Sequence, residues 1–137
     1  MAANPVILAA IGVEPKSDFD LARLTEEGFP LESVDEIKKQ GLTFTEISDI
    51  IIAPRTLKHR KARGEGLSSE ETERVIRVAR IIAFADKVFG SHDKAIGWLR
   101  EADDRLDNRN ALQMLRTEAG GRLVENMLYQ IDEGVFA

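Results

Sequence analysis

The 137-residue sequence contains no cysteine. That excludes disulfides, thiol catalysis and thiolate metal sites, and it fits a cytosolic protein. Strict apolar–polar alternation is nearly absent, which argues against a β-sheet protein. Long hydrophobic runs are missing too. The apolar stretch Val6–Val13 has no basic residues before it and is interrupted by Gly12 and followed by Pro15. It reads as neither a signal peptide nor a membrane span. Histidine is scarce, at two residues. His59 and His92 lie in different segments without a second ligand at metal spacing, so both are expected at the surface and no metal or cofactor is expected. Ser68 and Ser69 have no His or Asp at supporting distance and read as helix caps. The acidic group Asp103, Asp104 and Asp107 lacks the alternating ligands and central Gly of a calcium loop and reads as a solvated turn. "GEG" at 64–66 is too short to cradle a phosphate. No catalytic constellation remains, and an enzyme is not expected.

What is present is helical. The 43% hydrophobic and 31% charged composition is that of an ordinary soluble protein, and turn signals separate segments with i, i+3, i+4 apolar spacing. Residues 1–17 read as irregular. Helices are predicted over 18–28 and over 31–41, the second with Ser33 as N-cap and Glu36 completing a capping box. A third, over 43–51, is capped by Thr43 with Glu46, and Phe44, Ile47, Ile50 and Ile51 form its apolar stripe. Ala53-Pro54 interrupts the chain, and Pro54 opens a new helix, "PRTLKHRKARG". The "GEG" that follows is the best domain boundary, dividing 1–66 from 67–137. Two units of that size each bury only about 60% of their unfolded surface, which makes each marginal alone and favours oligomers or partners. The strongest helix is 67–90, with a Ser68–Glu71 capping box and a Gly90 stop. Val75, Val78, Ala79, Ile82 and Phe89 share one face, with Arg74, Arg77 and Arg80 toward the other. Ser91 caps a helix that buries Ala95, Ile96, Leu99 and Trp98, the last as a core anchor. Asn110 caps "ALQMLR". Thr117 and Glu118 open the last helix, in which Gly120-Gly121 mark either close packing or a late start. Gly134 ends it before the apolar tail Val135-Phe136-Ala137.

Charge is uneven. Net charge is −5, yet residues 54–63 carry Arg55, Lys58, Arg60, Lys61 and Arg63 with no acid. The rest of the chain up to 67 has four Lys or Arg against eleven Asp or Glu. A basic helix of about ten residues behind a tight turn is the arrangement of a recognition helix. Arg55 and Thr56 would approach base edges, and Lys58, His59, Lys61 and Arg63 would reach phosphates. A solvated basic face balancing the preceding acids is the other reading at this point. Ile52 occupies the turn position where the prototypical motif has Gly.

Three stretches, "PRTLKHRKARGEG", "LSSEETERVIRVARIIAFADKVFGSHDKAIGWL" and "ALQMLRTEAGGRLVENMLYQIDEGVFA", carry a resemblance over about 54–137. Together they resemble the antitoxins of the Xre/MbcA/ParS type, in the order Ser-capped helix, "VFG", "WL", "TEAG" and a Gly-Val-aromatic-Ala ending. The segment "READDRLDNRNAL" departs from the family's Pro- and Gly-containing turn. The resemblance implies an all-α protein: an Xre-like helix–turn–helix followed by a small toxin-binding domain. It implies as partners a RES-domain toxin that consumes NAD, operator DNA and a second copy of the chain. It further implies that Tyr129, Asp132, Glu133, Gly134, Val135, Phe136 and Ala137 bind the toxin, with Glu133–Ala137 plugging its NAD pocket and the helix before them docking alongside. A stand-alone helix–turn–helix regulator, with a dimerising or ligand-sensing second half, is the competing expectation.

Overall fold

A computed structural model of the chain describes residues 13–134. Among these residues eight α-helices follow one another: α1 Asp18–Glu27, α2 Glu32–Lys39, α3 Phe44–Ile50, α4 Pro54–Arg63, α5 Ser69–Phe89, α6 His92–Arg100, α7 Ala111–Met114 and α8 Glu118–Asp132. Between α6 and α7, Ala102–Asp103 pairs antiparallel with Arg109–Asn110 across a 3₁₀ turn. Two-residue strands are too short to show alternation, so the periodicity of an all-helical chain concealed this ribbon.

Local chemistry sets most helix ends. Thr43, Ser68 and Asn110 each form a reciprocal capping box, with Glu46, Glu71 and Gln113 respectively. Ser91 and Thr117 cap α6 and α8. The expected cap at Ser33 is not formed. The helix begins earlier, behind Leu31, and Ser33 is buried in its first turn with its hydroxyl donating to the Pro30 carbonyl at 2.8 Å.

The long α5 is the spine. It packs against α6 and α8 on one side and against α1 and α2 on the other, while α3 rests on α7. One continuous hydrophobic cluster runs from Phe29, Ile37 and Ile51 through Val75 and Ile82 to Leu99, Leu115 and Leu128. Each fully buried side chain of this size contributes roughly 1.5–3 kcal/mol. The core therefore passes across the "GEG" segment. The approach there is close. Leu67 N–H donates to the Phe29 carbonyl at 2.8 Å, and a Cβ on Gly66 would sit 2.9 Å from that same carbonyl oxygen.

Three side chains depart from their expected places. Phe44, assigned to the α3 stripe, is exposed at the first helical position, while Ile47, Ile50 and Ile51 are buried. Trp98 is only half-buried, tilted against Phe89 with ring centroids 5.7 Å apart. Arg77 is buried rather than solvated. Its guanidinium donates to the Leu115 carbonyl at 3.0 Å and lies 3.3 Å from Glu118, so it closes the α7–α8 corner.

Candidate functional site

The α3–turn–α4 unit is built without a turn glycine. Ile51 and Ile52 N–H groups both donate to the Ile47 carbonyl, and both side chains are buried. No residue of the turn has a positive φ. Ile52 therefore serves as a core residue, which removes the steric need for Gly there. Arg74 of α5 fixes the same turn by donating to the Ile51 carbonyl at 3.0 Å.

Helix α4 lies on the surface with no buried residue. Arg55, Lys58, His59, Lys61 and Arg63 are exposed, and Thr56 is half-buried at the edge of the helix. None of these basic side chains has a carboxylate partner among the described residues. Arg60 differs. It turns inward to Glu71 of α5 at 3.3 Å, with Glu65 at 4.0 Å. Burial works to raise the Glu71 carboxyl, but the Ser68 N–H and Arg60 outweigh it and hold that carboxyl below its usual range. One cation is thus spent on holding α4 to α5, leaving the others free to face a polyanion. At the start of α4, Ala53 offers no side-chain cap and Pro54 occupies the first turn. The leading N–H groups and the positive end of the helix dipole are oriented toward anions.

The C-terminal end of α8 carries the other expected residues. Helix α8 runs to Asp132, Glu133 caps it, and Gly134 follows at φ 76°. Tyr129 is 44% exposed and its ring lies tilted against the buried Phe84, with centroids 4.6 Å apart. Asp132, Glu133 and Gly134 are exposed. Val135, Phe136 and Ala137 lie outside the described residues. Leu123, 42% exposed, adds apolar surface to α8. It lies off the face of α8 that buries Val124 and Leu128.

Several contacts join the two regions. Arg100 of α6 reaches Glu46 and the Gly41 carbonyl. His92 lies between Asp86 at 2.8 Å and the Gln40 carbonyl. Phe29 N–H donates to Thr72 at 3.0 Å. His92 is therefore a bridging residue, half-exposed at the side chain, with both ring nitrogens engaged. No helix among the described residues is long and apolar enough to cross a membrane.

The described residues thus form a basic helix–turn–helix packed onto a second helical module. Residues 20–80 match the antitoxin Xre-like helix-turn-helix domain, and residues 84–134 match the antitoxin Xre/MbcA/ParS C-terminal toxin-binding domain. The two matches meet within α5. The chain is 37% identical over 121 residues to an "Antitoxin Xre" of Pseudomonas putida, covering 88% of this chain and 76% of that protein. It is 28% identical over 137 residues to an "Antitoxin Xre" of Photorhabdus laumondii, covering 97% and 91% respectively. The chain belongs to the Xre antitoxin family, with a helix–turn–helix preceding a toxin-binding domain.

Proposed function

We propose that this chain is the antitoxin of a type II toxin–antitoxin pair whose toxin is a RES-domain enzyme consuming NAD, by degrading it or by ADP-ribosyl transfer. Glu133, Gly134, Val135, Phe136 and Ala137 plug the toxin's NAD pocket, while the helix before them, with Tyr129 and Asp132, docks alongside. The helix–turn–helix, with Arg55, Thr56, Lys58, His59, Lys61 and Arg63, holds the complex on its own operator and represses the operon. The working unit is a homodimer within a larger cytoplasmic complex, with 1–66 facing DNA and 67–137 facing the toxin. The antitoxin itself catalyses nothing and needs no cofactor.

The observation that carries this reading is the way α8 finishes. An exposed aromatic, Tyr129, and two exposed carboxylates, Asp132 and Glu133, precede a left-handed glycine that directs the chain out of the helix. An apolar segment leaving at that point can enter a partner's cavity, and docking Phe136 there contributes on the order of 1.5–3 kcal/mol. The terminal carboxylate and Asp132 or Glu133 would meet the cations that otherwise hold NAD phosphates.

The experiment is co-expression with the RES-type toxin of the adjoining gene, reading growth and the cellular NAD pool. A chain lacking Val135–Ala137 is expected to lose protection while still binding DNA. Full protection by the truncated chain would show that the tail is not the inhibitory element.

A further inference from the structure

We infer that the phosphate-binding surface extends beyond α4 onto the toxin-binding domain, through Arg109 and Arg116. The inference rests on the proposed role of α4 in binding DNA. It starts from the pairing of the guanidinium groups. The chain has twelve arginines, all within the described residues. In so acidic a protein, most of them find a carboxylate within 4.0 Å. Four do not: Arg55 and Arg63 on α4, and Arg109 and Arg116 on the α7 corner. Arg109 donates its Nε only to the Leu106 carbonyl at 3.3 Å.

These two pairs, far apart in sequence, border two surface concavities that share Thr56. A groove between the helix–turn–helix turn and the α7–α8 corner is lined by Ser48, Asp49, Thr56, Arg74, Arg109 and Arg116. Thr56 also lines the neighbouring surface concavity that holds Arg55, His59 and Arg63. The unpaired cations of α4 and those of the α7 corner thus flank one residue at the start of the candidate recognition helix. Two acids border the groove. Glu71 is already engaged by Ser68 and Arg60, which leaves Asp49 as the one opposing carboxylate without a partner. A DNA backbone fits this arrangement. With α4 in a groove of the duplex, the flanking strand supplies regularly spaced phosphates, and Arg binds phosphate oxygens through its planar fork. Such contacts add affinity and orientation without sequence choice.

The test uses the full chain and a fluorescently labelled mixed-sequence duplex, with the dissociation constant followed by anisotropy across a salt series. The double variant Arg109→Gln/Arg116→Gln is expected to lower the slope of log K against log salt by about 1.8, from about 0.9 per lost phosphate contact, and to bind roughly tenfold or more weakly at low salt. Arg116→Gln alone is expected to lower the slope by about 0.9. A thermal melt of each variant separates lost contacts from lost structure. Arg55→Ala/Lys58→Ala is run beside them. If that pair weakens binding while Arg109→Gln/Arg116→Gln keeps the parent affinity and slope, the extension is wrong and α4 acts alone. If neither double variant changes binding, the DNA reading of α4 falls as well.

Discussion

Arg100 grips Glu46 with two prongs: its Nε and one terminal nitrogen each lie 2.8 Å from a different oxygen of the carboxylate. Glu46 simultaneously accepts from Thr43 N–H at 2.8 Å, completing the α3 capping box. One side chain thus starts the first helix of the helix–turn–helix and ties it to α6. The hydrogen bonds from Arg100 hold the Glu46 carboxyl below its usual range, against an opposing effect of burial. A lowered folded-state pKa contributes stability above the unfolded value of about 4.3, and the contribution is lost as pH falls through the folded value. Glu46→Gln, which keeps an acceptor for Thr43, is expected to destabilise by about 1 kcal/mol at neutral pH. Denaturant melts across the acid range should show the gap from the parent protein closing.

Gly120 tests close packing inside a helix. Helix propensity alone favours alanine there by about 1 kcal/mol. A Cβ at Gly120, however, would lie 1.8 Å from the Met114 carbonyl oxygen and 2.8 Å from its carbon, both backbone atoms. Gly121 faces the Arg77 side chain, at 2.8 Å from its Cδ. Overpacking of this kind costs about 1–3 kcal/mol, and more when backbone must move. Gly120→Ala should therefore lower the melting temperature clearly more than Gly121→Ala. A Gly120→Ala protein as stable as the parent would mean that the α7–α8 corner is looser than it stands here.

His92 links stability to pH with the opposite sign. The hydrogen bond to Asp86 is the main cause raising its pKa, and burial opposes it. The other ring nitrogen faces the Gln40 carbonyl, so only the doubly protonated imidazolium donates to both acceptors. A raised folded-state pKa gives stability that is fully present below about 6.5 and fades as pH rises through the folded value. His92→Asn should therefore be most destabilising in mildly acidic buffer, with its melting temperature approaching that of the parent as the solution becomes alkaline. A titration of the His92 ring by NMR locates the midpoint.

Much of this architecture is legible in the sequence because helix boundaries are written in local chemistry. Thr43–Glu46, Ser68–Glu71, Asn110, Thr117 and the Gly90 stop are all short-range signals, and each falls where it should. Ser33 misled because a buried serine satisfying the Pro30 carbonyl looks, in sequence, like a cap. Arg77 misled for a different reason. Its partners at Leu115 and Glu118 lie 38 and 41 residues away, so no periodicity marks it as buried. The basic run of α4 is equally local and easily found. The groove carrying Arg109 and Arg116 is assembled from four separate segments, and nothing in the neighbourhood of either residue announces it. Family resemblance helps where local signals fail, since it carries the order of the modules, but it does not say which cations are free.

Arg60 separates structure from DNA contact within α4 itself. Charge counting alone treats it as equivalent to Lys58, Lys61 and Arg63. In the fold it points inward, 26% exposed at the side chain, against a Glu71 carboxylate that is only 9% exposed. Removing Arg60 leaves that carboxylate buried with the Ser68 N–H as its remaining hydrogen-bond donor, and an under-satisfied buried charge costs about 1–3 kcal/mol or more. Arg60→Ala is therefore expected to lower the melting temperature while leaving the salt slope of DNA binding near that of the parent. Arg63→Ala, at an exposed and unpaired position, should do the reverse: unchanged stability, and a slope reduced by about 0.9. Paired melts and salt titrations on the two variants distinguish the roles. If Arg60→Ala reduces the slope as much as Arg63→Ala does, Arg60 must leave Glu71 for a phosphate on binding, and α4 must then be held to α5 by Leu57 and the turn alone.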